Sequence, residues 1–159
     1  MKDKITLYTT LNEIIRHGPC SGGWLQERGK WAAQIDPNSK IDLLTILNNS
    51  AVEDAIWVLR AALPVKHRDL IARLFACDCA EKALALVPDP DPRSIEAVRV
   101  SRGFANGVNT QEELAAARDA ANVTGAEGAA WAAAGAAAWA WQEKILRYYL
   151  EEFEGGSGL

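Results

Sequence analysis

Three short phrases share one spacing. "TLNE" (Thr10–Glu13), "SAVE" (Ser50–Glu53) and "TQEE" (Thr110–Glu113) each set a hydroxyl three residues before a glutamate. At that spacing the hydroxyl accepts from the backbone N–H of the third helical residue and the carboxylate reaches back to the cap, so each phrase reads as a helix start. "DPRS" adds a fourth start, with Asp91 capping and Pro92 at the first helical position. Gly107 after "FAN" reads as a helix stop. No segment alternates apolar and polar residues over strand length, and no Asn-Gly or Asp-Gly pair joins two β-branched runs. These signals predict an all-α chain: a single-domain helical bundle over 1–154, followed by a flexible Gly/Ser tail at 155–159.

The apolar spacing places the helices more closely. A short helix is expected over 10–16, then a turn at "PCSGGW", a short helix from Trp24 to Gly29 and a polar loop, "QIDPNSK". Another short helix carries Leu43, Leu44, Ile46 and Leu47. The helix after Ser50 is expected to bury Ala55, Ile56, Leu59 and Leu63. A longer one after Pro64 carries Leu70, Ile71, Leu74, Phe75, Ala80, Leu84 and Val87, mostly at i, i+3, i+4 intervals. "VPDPDP" must end it, because proline cannot continue a helix. Ile95, Val98 and Phe104 mark the face of the helix after Pro92. From Thr110 onward the pattern is one long helix, or two in line with a break near "NVTGAEG".

The stretch "AAWAAAGAAAWAW" (Ala129–Trp141) sets the smallest helix-forming side chain beside the largest side chain of all. Trp131, Gly135, Trp139, Gln142, Leu146, Tyr149 and Phe153 form one helical stripe in which small residues admit a close neighbour and indoles pack beside it. Trp141 lies about 200° round the helix from Trp139, on a side shared with Ala134, Ala137, Lys144 and Tyr148. Such a helix is either sandwiched inside the fold or left with one apolar side for a partner. Trp131, Trp139, Trp141 and Tyr148 are the candidate protein-binding residues, since large aromatics concentrate binding energy at interfaces.

Charge and chemistry narrow the function. With a formal net charge of -4 and pI near 5.2, the chain lacks the basic footprint of a nucleic-acid binder. The segment from Gly128 to Gln142 is free of charge for 15 residues, short of the roughly 20 that a membrane span needs. No apolar signal run opens the chain, and three cysteines without framework spacing suit a reducing compartment, so a cytoplasmic location is expected. Cys77 and Cys79 stand two apart in a helical segment and so point to nearly opposite sides, a poor zinc site. His17 with Cys20, or His67 with Cys20, lacks an identifiable third group for nucleophilic catalysis. The paired carboxylates Glu53–Asp54, Glu112–Glu113 and Glu151–Glu152 read as first-turn or solvated residues. Arg93, Arg99 and Arg102 read as a solvated face, and Arg118 as solvated or paired at a distance. No phosphate loop, dinucleotide motif, zincin motif or nucleophile elbow is present. No catalytic residue, cofactor or metal is expected.

Several phrases together carry a resemblance: "PCSGGW", "DAIWVLRA", "RLFACDCAEKAL", "DPRSIEAVRVSRGFANGVNTQEELAAARDAA", and the Ala/Trp run followed by "WQEKIL". The chain resembles a set of alanine- and tryptophan-rich helical proteins of tailed bacteriophages and bacteria, similar to immunity proteins of the immunity-5-like type. That resemblance implies a non-enzymatic inhibitor that binds and neutralises another protein, such as a toxin, a nuclease or a host defence complex, and it brings no catalytic residues. The alternative is a homo-oligomeric structural or scaffolding protein built on the two-sided helix, and a third reading is an enzyme using Cys20 and His17 or a metal.

Overall fold

The computed structural model describes residues 6–19, 31–122 and 136–153. Among these the chain is all-α, with two residue pairs of strand. In order come β1 (Tyr8–Thr9), α1 (Leu11–Arg16), β2 (Ile41–Asp42), α2 (Leu43–Asn49), α3 (Val52–Val58), α4 (Val65–Leu84), α5 (Pro92–Ala105), α6 (Gln111–Asn122) and α7 (Ala136–Glu151). Single 3-10 turns occupy Ala32–Gln34, at the entry to the expected polar loop, and Leu59–Ala61. The expected helix at Trp24–Gly29, the "PCSGGW" turn, the break near "NVTGAEG" and the Gly/Ser tail lie outside the described residues.

The chain divides into two compact units, one drawn from Met1–Asp69 and Glu143–Gly155, the other from Leu70–Gln142 and Gly156–Leu159. The first is organised around a short extended segment that the sequence pattern does not announce. Tyr8 pairs antiparallel with Asp42, and Thr9 with Ile41. On its other side Tyr8 exchanges two backbone hydrogen bonds with Leu63, at 2.9 and 2.7 Å. Two residues are too few for alternation to show, which is why the strand is silent in the sequence. The fully buried Thr9 hydroxyl donates to the Ala61 carbonyl at 2.8 Å, so the polar atom costs little inside. Leu7, Ile14, Leu43, Ile46, Val58 and Leu146 are the most deeply buried large side chains there.

One of the three expected capping boxes closes reciprocally, and at a second only the hydroxyl half is made. Thr10 Oγ1 accepts from Glu13 N at 3.1 Å. Thr110 Oγ1 accepts from Glu113 N at 3.2 Å while Glu113 Oε2 takes the Thr110 N–H at 2.8 Å, closing the reciprocal pair. The third does not form. Ser50 ends α2 instead, and α3 begins one residue later with Ala51 at its cap, so the hydroxyl and Glu53 are out of register. Ser50 Oγ is left buried and without a hydrogen-bond partner among the described residues. A different residue, Asp42, caps α2 by accepting from Leu44 N at 2.8 Å.

In the second unit α5 and α6 pack as a hairpin. Asp91 caps α5 with Pro92 in the first turn, as the sequence predicts. Gly107 ends the helix in the left-handed region at φ +73°, where glycine carries no side-chain penalty. The Gly103 carbonyl takes Val108 N at 2.8 Å, folding the turn back, and Asn109 lies so close that a methyl at Gly103 would sit 1.9 Å from its Oδ1. On α4, Leu70, Ile71, Leu74 and Phe75 are buried as expected, but Cys77 joins them while Ala80 and Leu84 are only half-buried, and the helix ends at Leu84, before the expected Val87. On α5 the expected face is shifted: Val100 is buried and Ile95 is exposed.

Candidate protein-binding face

Helix α7 presents two different sides. Leu146, Tyr149 and Leu150 are buried, and this is the side on which the sequence stripe Gln142–Leu146–Tyr149–Phe153 runs. The other side carries Lys144 and Tyr148 and is exposed, Tyr148 to 44%. Leu146 is fully buried, worth about 1.5–3 kcal/mol on removal from water, so the lower half of the helix is fixed by one side and leaves the other to solvent. Arg147 reinforces that setting: its guanidinium donates to Asn48 Oδ1 on α2 at 2.8 Å, to Glu151 at 3.1 Å and to Glu143 at 3.2 Å. The bonds to Glu151 and then Glu143 raise the Arg147 pKa.

The four aromatic candidates fare differently. Trp139 sits on the stripe side yet is 40% exposed, so the stripe is not covered along its whole length. Trp141 is half-buried, with Lys82 Nζ of α4 5.9 Å from its ring centroid, so part of its surface is already taken. Tyr148 stands edge-on to Tyr149 and Phe153, with ring centroids 5.3 and 6.5 Å away. Tyr149 and Phe153 in turn meet at 5.2 Å. This three-ring cluster holds the exposed tyrosine in a fixed pose, which lowers the entropy a partner would have to overcome on docking. Trp131 and Gly135 lie outside the described residues.

The thiols are set up as packing. Cys77 is buried with Sγ 3.8 Å from the Val98 carbonyl, and burial pushes its pKa up. Burial, with the Asp78 charge behind it, pushes the Cys79 thiol to about 11. Both shifts favour the neutral thiol, the less nucleophilic form. Cys20 lies outside the described residues, and His17 is exposed at the end of α1. Among the described residues no group of three His, Cys, Asp or Glu is placed to hold a metal ion. No helix among them is long and apolar enough to cross a membrane.

The arginines of α5 are more engaged than a solvated face implies. Arg93 is bidentate to Asp91 at 3.0 and 2.8 Å, and Arg99 pairs with Glu96 one turn before it. Arg102 crosses to α4, reaching Asp78 at 2.7 Å and Glu81 at 2.9 Å. Partial burial opposes its charge, yet the bonds to Asp78 and Glu81 outweigh that and raise its pKa. Asp78 and Glu81 are 24 and 21 positions from Arg102, beyond any local pattern; their own i, i+3 spacing on α4 is the one signal that could have found the pair. Among the described residues Arg118 pairs with the neighbouring Asp119, at 3.4 Å, with both largely exposed. Local reading also passes over Trp57 and Arg60, where the guanidinium lies 4.6 Å from the ring centroid.

No protein-family model, no curated protein and no solved structure matches the chain.

Proposed function

We propose that the chain is a non-enzymatic protein-binding protein that neutralises another protein, a toxin, nuclease or defence complex, by docking it on the aromatic residues of α7. The observation that supports this most is that Trp139 and Tyr148 stay 40% and 44% exposed on a helix whose lower half is firmly anchored by Leu146, Tyr149 and Leu150. Leaving large aromatic rings wet costs about 1.5–3 kcal/mol each relative to burying them, a cost that a partner removes. By helical position Trp141 and Tyr148 fall on one side of α7 and Trp139 on another. The resemblance to immunity-type proteins agrees with this reading, and a cytoplasmic site of action fits it.

The test is co-purification from the native cell, with the captured mass measured for wild type and for Trp139→Ala with Tyr148→Ala. Recovery of one partner in fixed stoichiometry, lost in the double variant while its helical circular dichroism is retained, supports the proposal. Equal recovery by the variant removes this surface. The second reading, self-association through the same exposed rings, separates cleanly by light scattering: a monomer at high micromolar concentration excludes a scaffold.

A further inference from the structure

A second surface, independent of α7, lies where α3 runs into α4. Arg60, in the 3-10 turn after α3, donates through Nε to the Trp57 carbonyl at 3.0 Å and lays its guanidinium 4.6 Å from the centroid of the Trp57 ring. Arg68, one turn into α4, donates through Nη1 to the Arg60 carbonyl at 3.1 Å, bringing a second guanidinium to the same corner. Arg68 is partly neutralised by Asp69, at 2.8 Å. Arg60 is exposed, and no carboxylate is bound to it among the described residues. Lys66 is exposed in the intervening turn of α4, and Val65 beside it is 47% exposed.

From this arrangement we infer that the Trp57–Arg60–Arg68 corner is a docking point for an acidic segment of a partner protein, with Arg60 as the carboxylate-binding fork. Three features converge on it. One Arg60 donor and the ring face are spent on fixing the side chain, so its remaining N–H groups are held in place before any ligand arrives. A planar fork of this kind matches a carboxylate in two parallel hydrogen bonds. The exposed Val65 and half-buried Trp57 supply apolar contact that a simple ion would not use. A guanidinium fork also fits a phosphate, but the Trp57 ring face beside it is already covered by the Arg60 guanidinium, so a nucleic-acid base lacks that face to stack on and a carboxylate segment is favoured.

The test uses the full chain and a fluorescein-labelled deca-glutamate peptide, read by anisotropy at low salt. Arg60→Gln is expected to weaken binding about tenfold and Arg60→Lys to weaken it less, with affinity falling as salt rises. Trp57→Phe, which keeps a ring under the guanidinium, should stay close to wild type. A single-stranded oligothymidine of equal charge serves as the competing class and is expected to bind more weakly. No measurable peptide binding, binding unchanged in Arg60→Gln, or tighter binding of the oligothymidine overturns the inference. Circular dichroism of Arg60→Gln confirms that a loss is not unfolding, and because none of the three variants lies on α7, failure here leaves the α7 proposal standing.

Discussion

At the scale of single residues, the same four-residue spacing has two outcomes, and the difference is one position of register. Thr110 and Glu113 close a reciprocal cap, whereas Ser50 is consumed as the end of α2 and its hydroxyl is buried without a partner. Thr110→Ala should therefore lower stability by about 1 kcal/mol, while Ser50→Ala, deleting an unpaired buried hydroxyl, should be neutral or stabilising. Urea denaturation of the two variants checks this, and an equal loss in both would mean that Ser50 caps after all. Gly103 supplies a sharper case. Alanine would add about 1 kcal/mol of helix propensity there, but its methyl meets Asn109 Oδ1 at 1.9 Å. We expect Gly103→Ala to destabilise and Gly103→Ala with Asn109→Ala to recover part of the loss, a coupling that a double-mutant cycle measures directly.

At the scale of elements, the α5–α6 hairpin is held at its ends by carboxylates in their charged form. The Arg93 guanidinium, followed by the Arg93 backbone N–H, brings the Asp91 carboxyl from its usual 3.8 down to about 2. Arg99 lowers Glu96, and Asn109 with the Thr110 N–H lowers Glu113. A carboxyl whose folded pKa is depressed stabilises the fold above its unfolded pKa and loses that contribution as pH falls through the folded one. The hairpin should keep its full stability above about pH 5 and weaken progressively as the pH falls toward 2, and Asp91→Asn should flatten part of that slope. Thermal melts across this range read it, and a melting temperature that rises on acidification would contradict the assignment. These caps were legible in sequence because capping is local: Thr10, Asp91 and Thr110 each act within three residues of themselves. What local spacing could not supply was the Tyr8–Leu63 pairing, made by backbone atoms 55 positions apart, or the crossing from Arg102 to Asp78. The apolar face of α5 differs for a related reason: Ile95 fits the helical period yet is exposed, whereas Val100 is buried.

At the scale of the whole molecule, the sequence posed a choice for its C-terminal helix between a sandwiched position and a free side. Among the described residues the lower half of α7 resolves that choice residue by residue: Leu146, Tyr149 and Leu150 go inside, and Lys144 and Tyr148 stay out. The alanine-tryptophan pattern was legible as a helix with two apolar sides, but which side is covered depends on elements far away in the chain, such as Asn48 of α2 reaching Arg147. If α7 is the docking surface proposed above, its exposed rings are covered by another protein when the chain does its work. Hydroxyl-radical footprinting by mass spectrometry, comparing the isolated chain with the complex purified from its native cell, tests it at the side chains themselves. The prediction is that Trp139 and Tyr148 lose most of their oxidation in the complex while exposed controls such as Val108 and Ile15 do not. Oxidation of Trp139 and Tyr148 that is the same in both samples would contradict it.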